Sequence, residues 1–214
     1  SGLRSTGGNV FVLKTLHDAM LIKNHVIGVF EQASMEADAE RRKQLLAFVV
    51  CGAGYTGIQL VTELRSFIYE HLLRFYKTID RADVRIILAE AESKIAAGLH
   101  PKLGAYVMKQ LQEMGIEVRL RSRVTRVSDE DVEINGAESV RASTLMWVAG
   151  ALANPRVAEL DIESDDIGRV LVNEFMEVPG SRRVYAVGDC AHFEDPETGQ
   201  AVPLRAHIAV RQAK

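Results

Sequence analysis

The fold is decided by residues 45–57, which read LLAFVVCGAGYTG. The first seven of these residues are apolar, without a polar interruption, which is typical of a strand buried on both faces in a parallel sheet. The glycine pattern GxGxxG follows at once, and residues 58–68 then repeat apolar positions at helical spacing. A strand, a glycine-rich turn and a helix in this order predict a dinucleotide-binding α/β domain.

Further strands and helices extend this pattern towards the carboxyl end. Residues 84–90 predict a second buried strand, and residues 116–120 a third. Between them, residues 101–114 predict a helix that begins with Pro101 and ends before Gly115. Alternating strands and helices predict a parallel sheet with right-handed crossovers.

A small antiparallel meander is predicted next, from three short alternating segments at 123–127, 132–134 and 138–140. Asn135–Gly136 supplies the turn chemistry of a hairpin. Two later apolar strands, at 144–149 and 184–187, each end at a glycine. Residues 10–46, ahead of the glycine pattern, predict mostly helix.

The glycine pattern has a specific mechanical meaning. Gly52 permits a tight turn, Gly54 lets backbone amides approach a pyrophosphate, and Gly57 lets the helix pack closely on the strand. The pyrophosphate then lies at a helix N-terminus, where the partial positive charge favours it. The predicted nucleotide-binding loop therefore comprises Gly52, Ala53, Gly54, Tyr55, Thr56 and Gly57.

An acid at the end of the second strand is expected to bond the adenosine ribose, and Glu90 stands there. Its distance from the loop exceeds the usual ~20 residues, which we attribute to a long first helix and its loop at 66–83. The carboxylate also repels a 2′-phosphate, so NADH is favoured over NADPH. Lys94 and Arg85 lie near Glu90 in sequence and are expected to soften that preference.

Composition excludes several other classes of function. A net charge of −3 gives no electrostatic basis for nucleic-acid binding. Four arginines recur between residues 119 and 126, but acids at Glu117 and 129–131 interleave with them, so a solvated surface is the better interpretation. No apolar run approaches the ~20 residues of a membrane-spanning helix. We therefore expect neither a nucleic-acid partner nor a transmembrane segment.

The cysteines and histidines predict no metal site and no redox pair. Cys51 and Cys190 are far apart, and no CxxC motif exists, which argues against disulfide reductases and zinc knuckles. The six histidines have no metal-ligand spacing. Cys51, at a strand end, is expected to be a small buried hydrophobe. So few cysteines favour a reducing cytoplasm over a secreted scaffold.

Taken with these motifs, the chain resembles the two-dinucleotide-domain FAD/NAD(P)-dependent pyridine nucleotide-disulfide oxidoreductases, and most closely the type II NADH dehydrogenases. The similar stretches are 14–19, the fingerprint at 48–57 with Ile58 and 63–64, then 147–150, 168–172, 184–191 and 203–212. The resemblance implies that Ala149 and Gly150 lie beside the nicotinamide. It also implies that Gly188 and Asp189 form the second flavin motif, with Asp189 bonding the ribityl chain of FAD.

Four departures from that family are visible in the sequence. Residues before Leu45 contain no second GxGxxG motif for the ADP part of FAD. Gln59 stands where these dehydrogenases usually have a glutamate, and His207 and Arg211 stand where the quinone-side motif has glutamines. Because half a flavin site does not retain FAD, we expect the chain alone to bind NADH and to catalyse nothing.

The resemblance implies three segments and a reaction. Residues 1–45 are expected to be a helical segment from the FAD domain or its linker. Residues 46–152 are expected to form the Rossmann-like NADH-binding domain, and residues 153–214 to return into an incomplete FAD domain. The intact protein is expected to pass a hydride from NADH to FAD and electrons to a quinone-type acceptor, in the cytoplasm or at the inner face of the membrane.

Two other functions stay open on the sequence alone. One is a ferredoxin- or rubredoxin-type reductase of the same superfamily, with a protein as acceptor. The other is a non-catalytic NADH-sensing module, which would have no use for Asp189.

Overall fold

The computed structural model describes residues 4–5, 9–150 and 153–214. The chain divides into two compact units, residues 1–149 and 150–214. The first unit contains, in chain order, β1 (Arg4–Ser5), β2 (Asn9–Val12), α1 (Leu16–Met35), α2 (Ala39–Leu45), β3 (Ala47–Cys51), α3 (Tyr55–Ser66), a π-helical segment (Phe67–Leu72), α4 (Leu73–Phe75), a 3-10 turn (Arg81–Asp83), β4 (Arg85–Ala89), α5 (Pro101–Glu113), β5 (Glu117–Arg119), β6 (Val124–Val127), β7 (Asp131–Ile134), β8 (Glu138–Arg141) and β9 (Thr144–Trp147).

A five-stranded parallel sheet forms the centre of the first unit, in the order β2-β9-β3-β4-β5. Consecutive strands β3, β4 and β5 lie side by side, as the alternation of strands and helices predicts. All of β3 is buried. Phe48 and Val50 pack on the side of the helices, whereas Val49 and Cys51 pack on the side of the meander. This confirms the prediction of a central strand without a solvent face.

The second face of the sheet is covered by the predicted meander. Strands β6, β7 and β8 pair antiparallel, and β1 adds to β6 in parallel. Asn135 and Gly136 connect β7 to β8 with φ values of 55° and 71°, the left-handed backbone that an Asn–Gly turn supplies. Val132, Ile134 and Val140 are buried against the parallel sheet. The result is a three-layer unit of helices, sheet and meander, as expected.

Residues 9–45 belong to the first compact unit. Residues 10–46 also contain a strand that the helical interpretation missed. β2 pairs with β9 from Asn9 to Val12, and Phe30 of α1 is fully buried beside the helices of the sheet. Hydrogen bonding at the sheet edge and burial of α1 hold this segment in place. The first unit ends at Ala149, and the expected division into three segments stays a prediction.

His25 links α1 to the sheet and gives the first unit a predicted pH dependence. Its Nε2 lies 2.8 Å from Oγ1 of Thr144, its ring centroid lies 4.5 Å from that of Phe11, and burial lowers its pKa. In the unfolded chain this histidine keeps a pKa near ~6.5. As the pH falls, the unfolded chain is therefore protonated at His25 before the folded chain is. The free energy of unfolding therefore decreases below about pH 6.5, until the lower folded pKa is passed.

We expect His25→Asn to flatten this dependence. Urea unfolding at several pH values from about 7 to about 5 gives the free energy of unfolding at each pH, and the slope of these values against pH is the quantity to compare. His17→Asn, at an exposed position of the same helix, is the control and should keep the wild-type slope. An unchanged slope in His25→Asn would show that another group carries the acid sensitivity.

The second unit holds less regular structure. It contains a 3-10 turn (Pro155–Glu159), β10 (Val170–Leu171), a 3-10 turn (Gly188–Cys190), β11 (Ala191–His192) and α6 (Ala206–Gln212). β10 and β11 pair in parallel. The strand expected at 184–187 is not formed. Only Tyr185 makes an isolated bridge, with Glu177, and Tyr185 is 59% exposed. Residues 176–178 pair with this segment, since Val178 donates to the carbonyl of Val184 at 2.9 Å and Ala186 donates to that of Met176 at 3.1 Å, but the pairing is too short to form a strand.

Asp165 is the centre of a hydrogen-bonded cluster in the second unit. Its carboxylate accepts the backbone N–H groups of Ile167 and Arg169, and Oδ2 lies 2.7 Å from Nε of Arg169 and 2.8 Å from Nδ1 of His192. Burial alone would raise the pKa of Asp165. The hydrogen bonds from the Arg169 backbone, His192 and the Arg169 side chain outweigh it and hold the pKa far below its usual range. Among the described residues, no helix is long and apolar enough to cross a membrane.

Candidate nucleotide-binding site

The glycine loop lies where β3 ends and α3 begins. Gly54 is the N-cap residue of α3, and its carbonyl accepts the N–H of Ile58 at 3.0 Å. No side chain caps this helix, and no acid lies in its first turn. The first N–H groups of a helix have no intrahelical partner, and those of Tyr55 and Thr56 belong to this class. The loop therefore presents backbone donors and the positive end of a helix dipole.

Two of the three glycines are required by the protein itself. Gly52 has φ 104°, and a Cβ there would lie 2.8 Å from the Cα of Ala149. A Cβ on Gly57 would overlap the carbonyl oxygen of Gly52. These are the tight turn and the close packing of helix on strand expected from the sequence.

Gly54 is different, because nothing in the fold requires a glycine there. Its backbone is extended, with φ −70° and ψ −176°, which any residue adopts. A Cβ at this position would meet no atom within 4 Å. The space in front of the helix N-terminus is therefore open.

Glu90 reaches the same loop from the neighbouring strand. Its Oε2 accepts the backbone N–H of Ala53 at 2.7 Å, and its Oε1 accepts that of Glu92 at 3.0 Å. The backbone of Glu90 is held on both sides, since its N–H donates to Arg119 and its carbonyl accepts from Ser122 at 2.7 Å. The carboxylate is thus fixed at the mouth of the loop.

The segment after β4 also contacts the glycine loop, which sequence reasoning missed. The N–H of Ala96 donates to the carbonyl of Ala53 at 2.8 Å, and Ala96 has φ 41°. Ile95 and Ala96 are both buried. The sequence signal was the apolar stretch at 95–97, which follows the polar residues 92–94. Ala53 is therefore held through both its N–H, by Glu90, and its carbonyl, by Ala96.

The end of β9 forms the other side of the loop. Val148 donates to the carbonyl of Cys51 at 3.0 Å, and Ala149 lies against Gly52. Trp147 donates from Nε1 to the carbonyl of Ala149 at 2.8 Å, which fixes the indole close to this strand end. Gly150 follows with φ 75° and is the first residue of the second unit.

Of the two cations expected near Glu90, Arg85 and Lys94, Arg85 lies elsewhere. Arg85 begins β4 and Glu90 follows its end, so about 16 Å of extended strand separates them. Arg85 is instead paired with Glu117 at 2.8 Å. The expectation that Arg85 softens the repulsion of a 2′-phosphate is therefore wrong. Lys94 is exposed on the loop after Glu90, and its role stays a prediction.

Cys51 is buried, as expected. Burial, with a smaller contribution from the charge of Glu90, raises the pKa of its thiol to about 12. Such a thiol stays protonated and unreactive at neutral pH. Cys190, in the second unit, is partly exposed and donates from Sγ to the carbonyl of Val187 at 3.2 Å.

The second unit carries the residues expected on the flavin side. Gly188 has φ 69°, and its N–H donates to Oε1 of Gln212 at 2.8 Å. Asp189 is exposed in the 3-10 turn that follows. His207 and Arg211 lie on α6 and are also exposed.

A parallel sheet with a GxGxxG loop at the end of its central strand, between helices and a meander, defines a Rossmann-like α/β protein of the dinucleotide-binding class. Comparison with protein families narrows the class, because the model of the pyridine nucleotide-disulphide oxidoreductases matches residues 5–213. The chain belongs to this family, which confirms the resemblance.

Individual relatives carry the names of NADH dehydrogenases. The chain is 32% identical over its whole length to 48% of a probable NADH dehydrogenase of Dictyostelium discoideum. It is 30% identical to the type II NADH:quinone oxidoreductase Ndh of Mycobacterium tuberculosis, over 94% of this chain and 44% of that protein. The chain thus spans about half the length of the curated relatives it matches.

Solved structures agree on the fold. NDH2 from Plasmodium falciparum, in complex with NADH, superimposes with a TM-score of 0.75 over 89% of this chain and 43% of that chain, at 20% sequence identity. At this identity the likeness establishes the fold.

Proposed function

We propose that this chain is the NADH-binding portion of a flavin-dependent NADH dehydrogenase. In the proposed reaction NADH supplies a hydride, FAD accepts it, and the electrons pass on to a quinone-type acceptor. The residues of the chain bind and orient the nucleotide. The names of the relatives support this reaction, and the geometry of the glycine loop supports the nucleotide.

The observation that carries the proposal is the glycine at position 54. The fold explains Gly52 and Gly57 through positive φ and atomic overlap, but it gives no reason for Gly54. An approaching diphosphate gives that reason, because a side chain at the helix N-terminus would occupy its place. We assign the loop from Gly52 to Gly57 to the diphosphate of NADH.

The remaining parts of the nucleotide follow from the order of strands. Ligands of open α/β sheets bind beyond the carboxyl ends of the strands. With the diphosphate at β3, the adenosine ribose lies towards β4. There the Glu90 carboxylate accepts hydrogen bonds from the ribose hydroxyl groups, which replace its hydrogen bond from the Ala53 N–H. The nicotinamide lies towards β9, beside Ala149 and Gly150.

The flavin side of the proposal concerns Gly188 and Asp189. The exposed carboxylate of Asp189 fits a hydrogen bond to a ribityl hydroxyl, with a net contribution of about 1 kcal/mol. The sequence contains only one GxGxxG motif, so it offers no second cradle for the pyrophosphate of FAD. We therefore expect the chain alone to bind NADH without oxidising it.

Nucleotide binding is directly measurable, because the chain has a single tryptophan. Trp147 lies at the end of β9. NADH absorbs light at the wavelengths at which tryptophan emits, so bound NADH is expected to quench the Trp147 fluorescence. The melting temperature should rise with NADH concentration. The proposal is falsified if neither NADH nor ADP-ribose changes the fluorescence or the melting temperature.

Glu90→Gln tests the assignment of the ribose acid. The amide keeps one acceptor oxygen but loses the charge that repels a 2′-phosphate, a repulsion of at most about 4 kcal/mol at ~4 Å. We expect NADH to bind about tenfold more weakly, because hydrogen bonds to charged groups contribute ~1.5 kcal/mol or more. The ratio of the NADPH to the NADH dissociation constant should decrease at least tenfold. Glu92→Gln, two residues along on the exposed loop, should leave that ratio unchanged.

A further inference from the structure

The end of β9, next to the glycine loop, contains a backbone carbonyl that is held by a side chain. β9 is paired on both sides up to its last residue, since Trp147 lies opposite Val12 of β2 and Cys51 of β3. The N–H of Val148 continues the pairing, at 3.0 Å from the carbonyl of Cys51. Ala149 lies beyond it, and its carbonyl accepts the indole N–H of Trp147 at 2.8 Å. A side chain therefore holds the backbone where the sheet ends.

The indole that makes this hydrogen bond is itself fixed by packing. Trp147 is half-buried and packs, with Val10 and Ala149, against the apolar cluster between the parallel sheet and the meander. Its backbone belongs to an interior strand of the sheet. The donor is therefore held in place before any nucleotide binds, which is the condition for a side chain that positions another group.

The hydrogen bond from Trp147 sets the orientation of the peptide group between Ala149 and Gly150. This peptide is trans, and a trans peptide is planar, so its N–H points away from its carbonyl. Because the carbonyl faces the indole, the N–H of Gly150 faces the opposite side. Among the described residues, no group accepts a hydrogen bond from this N–H. Gly150 is exposed, and a Cβ there would meet nothing within 4 Å, so the strand end presents an oriented donor to open space.

We propose that Trp147 is a positioning residue for the nicotinamide of NADH, which it orients through the carbonyl of Ala149. This inference rests on the proposed NADH site, since it concerns the nicotinamide end of the same nucleotide. The carboxamide oxygen of nicotinamide accepts a hydrogen bond, and the N–H of Gly150 supplies it. Trp147 keeps that N–H in position by holding the other side of the peptide group. Such contacts matter for the reaction, because hydride transfer requires the nicotinamide ring to be close to the acceptor and aligned with it.

Removing the indole N–H without changing the shape of the side chain tests the inference. The chain has a single tryptophan, so expression in a tryptophan auxotroph supplied with benzothienylalanine replaces Trp147 alone. In this analogue a sulfur atom takes the place of the N–H in a bicyclic ring of similar size. Trp147→Phe is the genetic counterpart. The emission of bound nicotinamide, excited directly, measures NADH affinity, and displacement of NADH measures ADP-ribose affinity.

We expect the dissociation constant for NADH to increase about fivefold in both proteins, the effect of one lost hydrogen bond between neutral groups, and that for ADP-ribose to change less than twofold. ADP-ribose contains the adenosine and the diphosphate but lacks nicotinamide, so an effect confined to NADH identifies the nicotinamide end. Tyr69→Phe is the matched control, because it removes another side-chain donor to a backbone carbonyl of the same unit, that of Val84. It should change neither affinity.

The comparison of NADH with ADP-ribose also separates this inference from the nucleotide assignment. Equal weakening of both ligands in the benzothienylalanine protein would overturn the inference, because Trp147 would then support the whole loop. Unchanged affinity for both would show that the indole N–H has no role in binding. Equal affinity of the wild type for NADH and ADP-ribose would overturn the inference and leave the diphosphate assignment intact. If the wild type binds neither, the nucleotide site itself is wrong and the inference falls with it.

Discussion

Gly57→Ala is expected to unfold or severely destabilise the first unit. The added Cβ would overlap the carbonyl oxygen of Gly52, which is a backbone atom and cannot rotate away. The same Cβ would lie 3.3 Å from Cγ2 of Val148. Relief therefore requires α3 to move away from β3, and overpacking of this kind costs ~3 kcal/mol or more. Urea unfolding, followed by circular dichroism, measures the loss.

Gly28→Ala is the matched control in another helix of the same unit. Gly28 lies within α1, and a Cβ there would meet nothing within 4 Å. Because alanine favours a helix interior over glycine, this variant should gain about 0.5–1 kcal/mol. Opposite signs for the two substitutions are the expected result. Similar stabilities for Gly57→Ala and the wild type would mean that α3 does not pack on the loop as described.

The central strand and its loop were predictable because their signals are local. Seven apolar residues at 45–51 and the glycine spacing at 52–57 need no knowledge of distant parts of the chain. The meander was equally accessible, since Asn135–Gly136 encodes its own turn. These elements fixed the class of fold and the position of Glu90 at the loop.

Short strands depend on pairing with distant segments, which the local sequence does not indicate. β2 has four residues and is defined by its pairing with β9. The helical pattern that begins directly after it led to the prediction of mostly helix for residues 10–46. The segment at 184–187 is apolar enough for a strand, yet it forms only a single bridge at Tyr185. Short elements are decided by tertiary context rather than by propensity.

The charges around Glu90 show the same limit. Arg85 is close in sequence but lies at the opposite end of an extended strand, whereas Ser122 is far in sequence and hydrogen-bonded to Glu90. Ser122 follows β5, which pairs with β4, so its contact with Glu90 depends on the register of these two strands. Electrostatics of a site therefore requires the register of the sheet.

Gly54→Asp is expected to abolish NADH binding while preserving or increasing stability. Aspartate is among the best N-cap residues, it favours the positive end of the helix dipole, and a Cβ at this position meets no neighbour. The free energy of unfolding should therefore stay the same or rise by up to about 1 kcal/mol. The new carboxylate would stand at the proposed diphosphate site, where two like charges ~4 Å apart repel by up to about 4 kcal/mol.

Gly54→Asn separates charge from bulk in the same experiment. Asparagine caps a helix about as well as aspartate and has nearly the same size, but it is neutral. We expect NADH affinity to decrease in the order wild type, Gly54→Asn, Gly54→Asp, with all three proteins melting within a few degrees of one another. Because stability and binding change independently in this series, misfolding cannot explain a loss of affinity. Undiminished binding of NADH by Gly54→Asp would show that the diphosphate does not bind at the N-terminus of α3.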